Sequence, residues 1–173
     1  FDFDFNADRL NLTQVTLVGE GTEVTLGGTI GLSDRSTLGL DVRGRVDLGL
    51  LAAANPEYIA SGTVTLDGRV RGARANPDLR GSARLTNATL GRKGFFTTLT
   101  ALNGDLFFDE QRITLNQMEG RVGGGLLRFQ GGAVLRQGTV QGLNVRIDAN
   151  DVRLRYPEGL RSVIDGSLLL RGS

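Results

Sequence analysis

Two stretches carry residue types that could do chemistry: the acidic pair Asp109-Glu110 and the glycine run Gly123 to Gly125. Adjacent carboxylates can ligate calcium, but this pair sits between Phe108 and Gln111-Arg112, where capping a hairpin is the simpler role. A glycine run can cradle phosphate, but that needs a Lys-Ser/Thr sequel opening a helix. Leu126, Leu127 and Arg128 follow instead. The chain has no His and no Cys, which excludes thiolate metal sites and His-activated nucleophiles. Ser, Asp and Glu fall singly in turns. No enzyme activity, metal or cofactor is expected. A net charge of +1 gives no bulk attraction to nucleic acid.

What the chain repeats instead is alternation of apolar and polar residues with a period of two, the signature of a half-buried strand. Phe3 and Phe5 alternate with acids in FDFDFNA. Further apolar series are Leu26 and Ile30; Leu40 and Val42; Val64, Leu66 and Val70; Leu106 and Phe108; Ile113 and Leu115. Leu127 and Phe129, Val145 and Ile147, Val152 and Leu154, and Leu168 and Leu170 continue the pattern. In ARLTNATL, Ala83, Leu85 and Asn87 stand on one phase, with Arg84, Thr86 and Ala88 on the other. Asp109 to Arg112 is the turn of a hairpin. DLGLLAAANPEY breaks the rule: Leu48, Leu51 and Ala52 at helical spacing predict a helix near 48–54, capped by Asp47 and stopped by Asn55-Pro56.

Alternation means one wet face and one apolar face, and the apolar face needs cover. Either the sheet closes on a dry core, as a barrel or β-sandwich, or it curls into an open trough filled by a ligand. The strands share one phase and show no partner layer, which favours the trough. The 26 glycines in 173 residues are about twice the usual share. Several fall inside strands, where they permit sharp curvature. The expected fold is all-β: an elongated, strongly curved antiparallel or mixed sheet forming an open half-barrel with an apolar concave interior. About 14 strands at roughly 4.8 Å would span about 65 Å. The apolar series above is the expected lining. It has no polar handle in register, so it suits acyl chains, which need none.

The 173 residues form one unit, with loose module breaks near 55–61 and 157–163. No run reaches the roughly 18 to 20 apolar residues of a membrane span. FDFDFNADRL has no basic leader, and both ends stop in mid-pattern, as expected of a fragment of a longer protein.

In order, GTVTLDGRVRG, NPDLRG, ARLTNATL, LNGDLF and EGRVGGGLLRFQGGAVL resemble the C-terminal part of the TamB family, the translocation and assembly module subunit. The likeness is strong over 40–173 and looser over 1–39. It implies a β-taco related to AsmA-like and other repeating-groove lipid transfer proteins. It implies the periplasm of a diderm bacterium, an inner-membrane anchor elsewhere in the protein, and an outer-membrane Omp85-type partner similar to TamA. Phospholipid passage between membranes is one implied activity. The other is help in inserting autotransporters and other outer-membrane barrels, by strand pairing with client proteins. The resemblance carries no catalytic residues.

Overall fold

The computed structural model describes residues 2–6, 8–33, 37–95, 97–136, 139–154 and 162–172, with residues 2, 3, 5 and 6 described by backbone alone. The strands are β1 (Asp2–Asn6), β2 (Arg9–Gly19), β3 (Thr22–Gly31), β4 (Thr37–Asp47), β5 (Tyr58–Ala73) and β6 (Asn76–Arg92). After them come β7 (Thr98–Glu110), β8 (Arg112–Val122), β9 (Gly125–Arg136), β10 (Thr139–Leu154) and β11 (Ser162–Gly172). One helix, α1 (Gly49–Ala54), lies between β4 and β5. The eleven strands make one sheet in sequence order. Every pairing is antiparallel. The sheet is not closed into a barrel, and the described strands form one sheet, not two stacked ones.

Against the expected count of about 14 strands, the described residues form eleven, and the mixed option gives way to a plain antiparallel meander. The physical reason is glycine's position. β5 runs 16 residues and β6 runs 17, passing straight through glycines that the sequence presents as punctuation. Ten intervals of roughly 4.8 Å then give about 48 Å across the sheet. Glycine does make the β8–β9 turn: Gly123 and Gly124 have φ of 57° and 85°, as a two-residue hairpin turn demands. The run that resembled a phosphate loop is that turn. The turn at Asp109 to Arg112 is as expected, with Asp109 opposite Arg112 and Phe108 opposite Ile113.

Alternation is interrupted at Asn87, Ala101, Gln117 and Asp151, whose φ values of 47°, 48°, 47° and 51° mark bulges on β6, β7, β8 and β10. At each, the register shifts by one residue. A one-residue shift flips all later side chains to the other face. Hence Ala88 faces the apolar side with 0% exposure, and Asn87 faces solvent. This reverses the assignment read from strict alternation. The Asn87 N–H donates to Asn103 Oδ1 at 2.9 Å, fixing the bulge. Each flip keeps apolar residues on the apolar side.

Packing is thin. The accessible surface is 11583 Å², against about 8200 Å² expected for a compact chain of 18.5 kDa. Leu48, Ala88, Leu102 and Met118 form the buried cluster, flanked by Val64, Leu85, Leu106 and Phe129. The helix falls where expected and starts at Gly49, because Leu48 is its N-cap residue and belongs to that cluster. Asp47 does cap it: Oδ1 accepts the Gly49 N–H at 2.6 Å. Asn55 ends it, donating its N–H to Leu51 O at 3.0 Å. Of the expected module breaks, 58–61 belong to β5 and 162–163 to β11, whereas 157–161 lie outside the described residues.

Gly81 has φ 145°, and a Cβ there would stand 2.2 Å from Asp67 O and 2.5 Å from Gly68 Cα. Gly81→Ala is therefore expected to lower stability by about 2 kcal/mol or more. Its cross-strand partner Gly68 would place a Cβ no nearer than 3.3 Å to anything, Arg80 O being closest. Gly68→Ala is expected to change stability by less than about 1 kcal/mol. Urea unfolding of the two variants checks the contrast.

Candidate hydrophobic groove

Residues directly opposed in an antiparallel ladder share a face. Following the register therefore shows which side chains the fold brings together. Ile30 opposes Leu38, and Leu26 opposes Val42. Leu40 opposes Val70, and Val70 opposes Leu79. Val64 opposes Leu85, and Leu66 opposes Ala83, which opposes Leu106. Leu106 opposes Leu115, and Phe108 opposes Ile113. Phe129 opposes Met118 and Ile147. Leu127 opposes Ala149. Ile147 opposes Leu168, Val145 opposes Leu170, Val152 opposes Ile164, and Leu154 opposes Ser162.

All of these lie on one face, and among the described residues of these rows the ones that are neither apolar nor glycine are Ser162 and Glu110, which opposes Leu79 at the hairpin end and pairs with Arg80. Phe3 and Phe5 are opposite Leu12 and Leu10 by backbone register; their side chains lie outside the described residues. At β11 the face opens out, with Leu168 and Leu170 56% and 39% exposed. Sequence reasoning left Ala88, Leu102 and Met118 out of the lining, although they are buried on this face alongside Ala83 and Val152. Their signal is a spacing of three instead of two: Leu85 to Ala88, Leu99 to Leu102, Leu115 to Met118. The residue just before Ala88 is Asn and that before Met118 is Gln; Asn in particular tolerates positive φ.

The opposite face is charged and paired. Arg43 meets Asp67 at 3.1 Å, and Arg84 meets Asp105 at 2.7 Å. Arg80 meets Glu110 at 2.5 Å, and Arg69 and Arg71 converge on Asp41 at 3.1 and 2.8 Å. Arg146 bonds Asp148 at 2.9 Å, whose carboxylate also accepts the Ser167 hydroxyl. Exposed pairs like these contribute little stability each. Their effect is to mark this face as the wet one. The hydrogen bond from Arg71 chiefly, with the charges of Arg71 and Arg69, holds the Asp41 carboxyl below its ordinary value. Ser167 and then Arg146 do the same for Asp148.

Three hollows differ in chemistry. The largest, about 790 Å³, lies on the polar face by the β2–β3 turn, between Thr25, Arg43, Arg45 and Thr65. One of about 480 Å³ lies along β8 to β10 beside Ile113, Ala133, Val134 and Leu143. The smallest, about 150 Å³, is almost wholly apolar and is set between Val42, Leu66, Val70, Leu79 and Phe108. Lining chemistry outweighs volume here, because the surface of the largest hollow is half polar. An apolar ligand gains only where water leaves apolar surface.

A family model, the TamB C-terminal domain, matches residues 13–173. The chain belongs to the TamB family. The match takes in β3 and most of β2, so the likeness extends further toward the N-terminus than residue 40. TamB is a periplasmic part of a bacterial envelope complex, and membership ties the chain to a translocation and assembly module. No curated protein and no solved structure matches the chain. Among the described residues no helix is long and apolar enough to cross a membrane.

The depressed carboxylates set a pH dependence. A carboxyl whose folded value lies below its unfolded value stabilises the fold above the ordinary carboxylate range. That stabilisation is lost as pH falls through the ordinary value of 3.8 toward the folded one. Asp41→Asn should lower stability slightly at neutral pH and converge with the wild type in acid, so that the stability loss below that value is flattened. Thermal unfolding measured across the acid range checks it.

Proposed function

We propose that this sheet is a stretch of periplasmic groove that shields phospholipid acyl chains and conducts them between the inner and outer membranes. The observation that carries the reading is the apolar face itself. It is continuous from β2 to β11, backed by an ion-paired face, and covered by no second layer among the described residues. A chain lying on it gains about 0.8 kcal/mol per methylene removed from water. No polar contact fixes its position along the rows, so it can slide. The role is one of binding and passage, not catalysis. A TamA-like Omp85 barrel is the proposed partner at the outer membrane, with an inner-membrane anchor elsewhere in the protein. The lining is the set from Phe3 and Phe5 through Leu168 and Leu170, together with Ala88, Leu102 and Met118.

A second reading, a scaffold for outer-membrane barrel insertion, rests on the apolar Val163 and Leu169 of β11, which are 60% and 48% exposed on its polar side and beside which a client strand could pair. The two roles use different surfaces and are compatible.

Photo-crosslinking residues at Leu66 and Leu127, on the apolar face, and at Thr65 and Arg128, on the other, separate them in cells. Lipid adducts at Leu66 and Leu127 alone are expected. Adducts dominated by outer-membrane proteins would favour the scaffold, and no adduct at any site would refute the groove.

A further inference from the structure

The inward glycines of this sheet are of two kinds. Gly44 and Gly81 have φ of 154° and 145°, and a Cβ on either would fall within 2.2 Å of a neighbouring strand's carbonyl oxygen. The backbone leaves those positions no alternative. The demand at Gly68 is milder. Its φ is not in the left-handed region, and a Cβ there would press on Arg80 O at 3.3 Å, a contact relieved by a shift of a few tenths of an ångström. What Gly68 provides is space. It opposes Val42 on β4 and Gly81 on β6, and Gly81 opposes Phe108 on β7. In the row Val42, Gly68, Gly81, Phe108, the two middle positions have no side chain.

The result is the 150 Å³ apolar recess. Val42 and Phe108 close it along the row. Leu66 and Val70 close it along β5, and Leu79 closes it along β6. Its floor is the paired backbone of Gly68 and Gly81, whose hydrogen bonds are spent in the ladder. A hollow of this volume holds roughly the bulk of benzene, about six carbons. Side chains flank it within the sheet while it opens outward above, so the end of a chain can drop into it where the middle of a chain lying along the face would pass over.

We infer that this recess is a discrete seat for the methyl end of one acyl chain. The inference rests on the lipid-binding reading above and deepens it: the groove is not uniform, and a lipid pauses where its tail drops between Val42 and Phe108. Gly68 is the residue that holds the seat open.

The test uses the whole chain and a long-chain fatty acid with a diazirine at its methyl end. After irradiation the adducts are mapped by peptide mass spectrometry. Adducts are expected to concentrate on Val42, Val70, Leu79 and Phe108. Gly68→Leu, which fills the recess, should reduce those adducts roughly tenfold or more, the factor set by unburying about two methylenes. Adducts near Phe129 should persist. Adducts spread evenly along the face, or unchanged at Val42 and Phe108 in Gly68→Leu, would overturn the seat and leave the groove standing. No adduct anywhere on the apolar face of the wild type would overturn both. If Gly68→Leu fails to fold, Leu79→Ala gives the converse. A deepened recess should shift the preferred probe to longer chains, and an unshifted preference would overturn the seat.

Discussion

The structure depends on one unmet demand: among the described residues, an eleven-stranded sheet has an apolar face and no second layer to place on it. Burying apolar area is the main favourable term in folding. Here much of that area is covered by cross-strand neighbours alone. The surplus of accessible surface over a compact chain of this mass measures the deficit. Stability must then come from the ladder itself and from contacts between adjacent strands. These are local, since each strand pairs with its sequence neighbour. Such a sheet is close to a one-dimensional array, in which each added hairpin extends the structure without changing its principle.

Glycine and bulges reconcile flat pairing with a curved face. At Gly81 a missing side chain lets two backbones approach where any Cβ would collide. At Asn87, Ala101, Gln117 and Asp151 one extra residue increases the local twist and still returns the next apolar residue to the correct side. Both devices act on the apolar face, and the buried cluster around Ala88, Leu102 and Met118 lies beside three of the bulges.

Much of this was legible in the residues. Period-two alternation identified the face of almost every strand, because that face holds no charge and the other is laced with Arg and Asp. The hairpin at Asp109 to Arg112 and the helix stop at Asn55-Pro56 followed from local chemistry. Two things were hidden. Strand number was overestimated because a glycine within a strand and a glycine in a turn look alike until the partner strand is known. The facing of Ala88, Leu102 and Met118 was hidden because a bulge is a property of two strands, while alternation is read along one. The roles of Gly68 and Gly81 separate only in three dimensions, by what a Cβ would touch.

The account's central claim is that the apolar face is occupied by lipid in its working state. Native mass spectrometry of the chain, released from cell envelopes without detergent, tests that directly. The account predicts species heavier than the bare chain by phospholipid masses, and their loss when Leu66 and Leu106 are both replaced by Asp. A bare chain mass from wild-type envelopes, with the sheet intact by circular dichroism, would contradict it.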